Sequence, residues 1–443
     1  MAPKPQLANF LAKSILNGSL TEIGIRKRAA IVLGRKWPFL PAFAKRVIKA
    51  FGAGRRPRQV ALCAFIEKDA GFLRAQAKNP LAVIHEPSSR PRMCPAAGPP
   101  RTWKILPICT VSALARRLNL KPNELAWFAD CRTQARRLPD GPLRHYRYRW
   151  QPKRDGTFRL IESPKQRLKA MLRFLLANVV DAIPSHQAVH GFRSGRSIKS
   201  FAETHVAKAI VLKLDLKDFF PSISRARILS IFLTAGYPEN VAQILTGLCV
   251  TCVPSQIIRD LSERISAREL RALKVLYQRP HLPQGAPTSP ALANLAAYRL
   301  DCRLWGLAQG AGADYTRYAD DLVFSGGTEF ARGIERFYIR ACAIALEEGF
   351  EVNTRKTKVM RKSVSQRVAG IVLNNQINVP RENYDQVKAM VHNCVLHGPS
   401  QQNRANLPDF RAHLRGRIAH IEILNPKRGQ KLRAQFQEID WAS

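Results

Sequence analysis

Two adjacent carboxylates, Asp320 and Asp321, lie within Tyr315-Thr-Arg-Tyr-Ala-Asp-Asp-Leu-Val-Phe-Ser325, between apolar, strand-forming residues. A strand interior would bury such acids at high cost, so the pair belongs at the tip of a tight hairpin. Neighbouring strand residues point to opposite faces, so only one of the two aims directly at a given site. Alone, an Asp-Asp pair is an ordinary acidic turn. Asp215 changes its meaning: it ends the run Val211-Leu-Lys-Leu-Asp215 and precedes Leu216-Lys-Asp-Phe-Phe-Pro221. Three such acids fit two Mg²⁺ ions, which take oxygen ligands and keep positions open for phosphate oxygens. Paired metals clamp the attacking and leaving oxygens of an in-line displacement. Asp215 and Asp320 are the natural bridging pair, Asp321 the supporting ligand, and Asp218 a lesser candidate that reads better as a structural acid.

The elements that must position these acids read as α+β. Strand runs recur at 209–216, 315–325 and 367–373, with helices at 225–249, 288–307 and 329–349, an order that predicts a sheet covered on one face by helices. Upstream, His145-Tyr-Arg-Tyr-Arg-Trp150 alternates like a strand, Asp155-Gly156 signals a hairpin turn, and Phe158-Arg-Leu-Ile161 returns. Residues 164–183 are helical, and 110–130 form two short helices begun at Thr110 and Lys121-Pro122. Proline clusters at Pro87–Pro91 and Pro95–Pro100 mark a linker. Four regions follow: a basic helical region at 1–88, a Pro-rich linker at 89–107, a mixed domain at 108–375, and a helical, basic module at 376–443.

Charge narrows the partners. The 443-residue chain carries 72 Lys plus Arg against 32 Asp plus Glu, a formal net charge of +40. Such a field attracts polyanions, with nucleic acid the leading candidate. Residues 1–60 contain 13 Lys or Arg and one acid, Glu22, with Phe10, Leu11, Ile15 and Leu16 at helical spacing, which points to a nucleic-acid-binding appendage. No apolar run approaches a membrane span, and the N-terminus has no apolar signal segment. Nine scattered cysteines fit reduced thiols in a bacterial cytoplasm. Cys249 and Cys252 form a lone CxxC, which reads as two packed thiols on a helix rather than a zinc site.

Against this background the motifs become familiar. Tyr318-Ala-Asp-Asp321 resembles the Tyr-x-Asp-Asp signature of reverse transcriptases. Asp215-Leu-Lys-Asp-Phe-Phe220 resembles their first catalytic motif, and Leu282-Pro-Gln-Gly-Ala-Pro-Thr-Ser-Pro290 the motif between the two. The resemblance implies a right-hand polymerase fold with fingers, an antiparallel palm sheet backed by helices, and a helical thumb. It implies nucleotidyl transfer from a dNTP to a primer hydroxyl, with Leu216 joining Asp215, Asp320 and Asp321 around two Mg²⁺ ions. Phe220 would crowd a ribose 2′-OH. Gln284 and Gly285 would form the nucleotide-pocket turn, and Arg159, with Lys153 and Lys165 as lesser candidates, would meet the triphosphate. Lys356 would give a proton to the leaving pyrophosphate. Arg193 and Arg196 would hold the template, Gly370 would lie on the strand supporting the primer end, and Arg411 and Arg415 would grip the duplex.

In detail the chain is similar to bacterial retron-type enzymes. His190-Gly-Phe-Arg-Ser-Gly-Arg-Ser-Ile198, Trp127-Phe-Ala-Asp130, His145-Tyr-Arg147, Asn353-Thr-Arg-Lys-Thr357, Arg415-Gly-Arg-Ile418 and Leu424-Asn-Pro426 resemble landmarks of that group. Two features depart from it. Val368-Ala369-Gly370 stands where Val-Thr-Gly is usual, and no Asn-Ala-x-x-His follows the first palm motif. The retron resemblance implies a cognate structured non-coding RNA as template and primer, a branched RNA-linked DNA product, and an antiphage role with a separate effector protein. The alternatives are another defence-associated reverse transcriptase with untemplated or protein-primed synthesis, and a non-catalytic RNA-binding scaffold.

Overall fold

The structure is a computed structural model that describes residues 4–17, 20–52, 57–79, 81–83, 93, 103–153 and 156–441. The two proline clusters lie outside the described residues, apart from Met93 between them, and so does Asp155 of the expected turn. The chain divides into two compact units, residues 1–183 with 223–289, and residues 184–222 with 290–443.

The first unit begins with five helices: Lys4–Leu16, Glu22–Val32, Leu40–Phe51, Gln59–Lys68 and Ala70–Lys78. Leu7, Leu11 and Ile15 recur every four residues and therefore share one face. They are buried with Ile25, Val32, Phe43, Val47, Leu62, Ile66 and Phe72 in a core belonging to these helices. Asp69 fastens the bundle. It caps the fifth helix by accepting from the Phe72 N–H at 2.8 Å and takes two hydrogen bonds from Arg46 of the third helix at 2.6 and 2.8 Å. The expected helical character of this region is therefore present.

The rest of the first unit contains the expected hairpin, β1 (Tyr146–Pro152) and β2 (Phe158–Pro164), paired antiparallel with Trp150 opposite Leu160. Trp150 donates its indole N–H to the Ile257 carbonyl at 2.8 Å and packs edge-on against Tyr277. The two short helices form as Val111–Arg117 and Pro122–Ala129, with Thr110 capping the first. The single helix expected at 225–249 is two, Arg225–Thr234 and Glu239–Cys249. Gly236, at φ +100, and Pro238 interrupt it. The CxxC reading also changes. Cys249 ends the second of these helices, while Cys252 lies beyond it, past extended Val250 and the Thr251 bridge to His281. Both thiols are buried, and burial pushes them up, to about 12 and about 11.

The second unit holds a four-stranded antiparallel sheet, in the order β4 (Ala313–Tyr318), β5 (Asp321–Gly326), β3 (Ile210–Asp215), β6 (Lys358–Arg361). Alternation along the strands separates its two faces. On one, Phe324 stacks on Tyr315 and meets Phe337 of the helix Ile334–Glu347. On the other, Val211 and Val323 join a core with Val368, Ile371, Val387, Leu414 and Ile418. That core is completed by the helices Arg381–His397, Phe410–Leu424 and Pro426–Gln437. The strand expected at 367–373 is a small hairpin, β7 (Arg367–Val368) and β8 (Ile371–Val372), because Ala369 and Gly370 both have positive φ and reverse the chain. Among the described residues no helix is long and apolar enough to cross a membrane.

Candidate active site

The three acids gather at one end of the sheet in the second unit. Asp215 is the last residue of β3 and lies directly opposite Asp321, the first residue of β5. Opposed residues of an antiparallel pair present their side chains on the same face. Residues two apart share that face as well, so Val211, Lys213 and Asp215 form one row. The row is apolar where it meets the C-terminal core and charged at its end. Asp320 occupies the two-residue turn with Ala319, and its carbonyl accepts the Leu216 N–H at 2.9 Å. The register thus sets Asp321, rather than Asp320, across from Asp215.

Two lysines face the acids. Lys213 Nζ lies 2.9 Å from Asp321, and Lys356 Nζ lies 3.4 Å from Asp215. Lys356 reaches this place because the Asn353 N–H bonds the Asp215 carbonyl at 2.7 Å and starts the short turn Thr354–Lys356. Burial, then the Asp321 and Asp215 charges, push the Asp320 carboxyl above its ordinary value. Asp321 is also raised, by burial and by Asp215, against the opposing pull of Lys213.

The turn is held from beneath by a buried network. Arg317, fully buried, makes a two-pronged pair with Asp301, Nε to Oδ1 and Nη2 to Oδ2, both at 2.7 Å. Its Nη1 donates to Asn294 Oδ1 and to the Ala319 carbonyl, each at 3.0 Å. Asn294 in turn donates to the Gly191 carbonyl at 2.9 Å. Gly191 lies so close that a Cβ there would come within 2.9 Å of the Ala319 nitrogen. Ala319 itself has φ +55, a left-handed conformation costing roughly 1–2 kcal/mol. His205, fully buried, ties the two hairpin strands from one side, bonding Thr316 at 2.6 Å and Ser325 at 2.7 Å.

Among the described residues no group of three His, Cys, Asp or Glu side chains forms a ready-made metal cage. The donor chemistry nevertheless fits magnesium. Carboxylate oxygens are hard ligands, and a divalent cation would offset the Asp321 and Asp215 charges that, after burial, raise Asp320. Leu216 is 1% exposed and has only its backbone carbonyl to offer a cation.

Other residues singled out in the sequence fall in the same unit. Phe219 is core, packed against Phe350, while Phe220 beside it is half-buried. Arg193 donates to the His186 carbonyl at 3.1 Å, and Arg196 is exposed beyond Gly195. Gly370 forms the β7–β8 turn with open space where a side chain would stand. Arg411 and Arg415 are exposed on the helix Phe410–Leu424, Arg411 with its guanidinium over Trp441.

Arg159, Gln284 and Gly285 belong to the first unit. Arg159 is exposed on β2. Gln284 is bonded through its backbone to Glu162, three residues further along that strand. Gly285 has φ +140, and a Cβ there would meet the Glu162 carbonyl oxygen at 2.7 Å, so only glycine fits. Lys165 donates to the Gly141 carbonyl.

Sequence reasoning passed over Lys213, Asp301, Arg317, His205, Glu162 and His281. The signal for Lys213 was present, a lone charge in an apolar strand. For the others, nothing local distinguishes a buried partner from a solvated one.

Comparison with known proteins gives a consistent picture. The family described as "Reverse transcriptase (RNA-dependent DNA polymerase)" matches residues 151–388. The retron Mx65 reverse transcriptase of Myxococcus xanthus is 41% identical over 298 residues, covering 66% of this chain and 65% of that protein. The retron Mx162 reverse transcriptase of the same organism is 36% identical over 346 residues, covering 75% and 67%. The retron Ec86 reverse transcriptase of Escherichia coli is 28% identical over 287 residues, covering 65% and 78%. The chain thus spans about two thirds of the length of the two Myxococcus relatives.

Proposed function

This chain belongs to the reverse transcriptase (RNA-dependent DNA polymerase) family, and on that premise we propose that it is a retron-type enzyme that copies RNA into DNA at Asp215, Asp320 and Asp321. The observation that carries this reading is Asp215 opposite Asp321 at the sheet's end, with Asp320 in the adjoining turn. These residues and the Leu216 carbonyl would hold two Mg²⁺ ions. When bound, such ions polarise phosphate oxygens and favour the ionised primer hydroxyl.

The chain's own residues supply positioning and charge, which dominate phosphoryl chemistry. Lys356, whose Nζ lies 3.4 Å from Asp215, gives a proton to the leaving pyrophosphate. Phe220 excludes a ribose 2′-OH, so that DNA is the product. The Gln284–Gly285 turn receives the incoming nucleotide, and Arg159 meets its triphosphate. Arg193 and Arg196 hold template, the Gly370 turn supports the primer end, and Arg411 and Arg415 contact the duplex. In this reading residues 108–375 are fingers and palm, 376–443 are thumb, and 1–88 are a basic RNA-binding region joined through 89–107.

We further propose a cognate structured RNA as template and primer, a branched RNA-linked DNA product, and an antiphage role with a separate effector in a bacterial cytoplasm, a reading that extends the retron similarity. The test of the chemistry is Mg²⁺-dependent incorporation of dTTP on poly(rA)/oligo(dT). The double variant Asp320→Asn with Asp321→Asn is expected to abolish it, and unchanged synthesis would refute the site. Sequencing copurified nucleic acid tests the retron assignment. A DNA strand joined to one defined RNA is expected, and random cellular RNA without linked DNA would refute it.

A further inference from the structure

We propose that the buried pair Glu162–His281 is a positioning device that sets the Gln284–Gly285 turn and thereby the enzyme's affinity for the incoming nucleotide. The inference rests on the reading of that turn as part of the nucleotide pocket. All of the residues involved lie in the first unit.

Glu162 and His281 are both 0% exposed. Glu162 holds Gln284 at both of its backbone groups. Its carboxylate accepts the Gln284 N–H at 3.1 Å, and its own N–H donates to the Gln284 carbonyl at 2.9 Å. Gly285 follows, pressed against the Glu162 carbonyl. One side of the turn is thus defined by a single residue of β2, the strand that also carries Arg159.

His281 completes the clamp. Its Nε2 lies 3.2 Å from each Glu162 oxygen, and its Nδ1 lies 2.8 Å from the Arg279 carbonyl. Beside an ionised Glu162 both ring nitrogens face acceptors, the arrangement that favours the imidazolium form. Burial alone would push His281 down, yet the Glu162 charge and hydrogen bond hold it above its ordinary value. The His281 backbone is fixed in turn by two hydrogen bonds with Thr251, each 3.0 Å, and the Leu282 N–H bonds the Ile223 carbonyl at 3.1 Å.

Well-packed apolar residues often stabilise an interior as well as a buried ion pair does. They would leave the Gln284 N–H and the Arg279 carbonyl without these partners. The charged pair does what an apolar pair cannot, which is to orient one turn through its backbone. Loss of that orientation weakens nucleotide binding in ground state and transition state alike, so KM rises while kcat holds.

The experiment is steady-state dTTP incorporation by the full chain on poly(rA)/oligo(dT), with the dissociation constant for that duplex measured in parallel. Glu162→Gln keeps an acceptor for the Gln284 N–H but loses the charge opposing His281, and Glu162→Ala loses both. KM for dTTP is expected to rise several-fold in the first and by about tenfold or more in the second, with kcat within about threefold and duplex affinity unchanged. If Glu162→Ala does not fold, Glu162→Gln decides. A folded Glu162→Gln with unchanged KM, or with kcat lost and KM intact, overturns the inference. Gln284→Ala separates the two levels. If it raises KM while Glu162→Gln does not, the positioning role fails and the pocket stands. If Gln284→Ala leaves KM unchanged, the pocket reading falls and the inference with it.

Discussion

Arg317 and Asp301 form a fully buried, two-pronged ion pair whose remaining Arg317 nitrogen supports the Ala319 carbonyl one residue before Asp320. Removing one member of a buried pair strands the other, at a cost of about 3–5 kcal/mol. Asp301→Asn is therefore expected to lower the urea midpoint sharply and to abolish DNA synthesis. Arg317→Met combined with Asp301→Leu should recover much of the stability but little of the activity, because the Ala319 carbonyl stays unsupported. Recovery of activity along with stability would separate the pair from the proposed role of the Ala319–Asp320 turn.

Gly191 offers a milder test. Gly191→Ala would push a methyl group against the Ala319 backbone, which cannot swing aside as a flexible side chain can. Synthesis is expected to fall by about tenfold or more with a Tm shift of only a few degrees, since the strain of about 1–3 kcal/mol falls on one turn. A near-normal turnover rate would mean that the turn tolerates displacement.

Lys213 competes with any cation for Asp321, since its ammonium group lies 2.9 Å from that carboxylate. Lys213→Met removes the competitor. The Mg²⁺ concentration for half-maximal dTTP incorporation is expected to fall several-fold, by about 1 kcal/mol of relieved competition. An unchanged Mg²⁺ titration would exclude Asp321 from cation binding or Lys213 from competing for it.

His205 makes a prediction about acid. Buried between the Thr316 and Ser325 hydroxyls, its imidazole is pushed by burial, and then by Lys208 and His190, from 6.5 down to about 3. The unfolded chain therefore binds a proton that the folded chain refuses. This contribution to stability is intact above pH 6.5 and is lost as pH falls toward about 3, by up to about 1.4 kcal/mol per pH unit. His281, raised by Glu162, acts in the opposite sense. The comparison is thus a difference between proteins. Unfolding free energy should drop less between pH 7 and pH 5 in His205→Gln than in the parent, and equal drops would refute the assignment.

The three acids of the candidate site were legible in the sequence because their signal is local. Asp215 ends an apolar run, and Asp320-Asp321 interrupts one, so strand and turn follow from a few neighbours. The two short helices after Thr110 were legible for the same reason. The break inside 225–249 was written in Gly236 and Pro238, but the apolar periodicity on either side outweighed it. The β7–β8 reversal was hidden because Ala369 does not advertise a positive φ. The supporting pairs were out of reach for another reason. Glu162 and His281 are separated by 119 residues, and neither carries a mark of burial until the chain has folded around both.

That separation also sets an order of events during synthesis. The first unit is built from two stretches of chain, with residues 184–222 assigned to the second unit between them. Glu162 leaves the ribosome 119 residues ahead of His281, a wait of roughly 6–24 s at ordinary elongation rates of about 5–20 residues per second. For that time the strand β2 carries a carboxylate whose native place is buried and whose native partner has not yet been made. The part of the first unit that buries Glu162 is therefore expected to close late, when His281 arrives. The Gln284–Gly285 turn would then be among the last parts of that unit to take its final form.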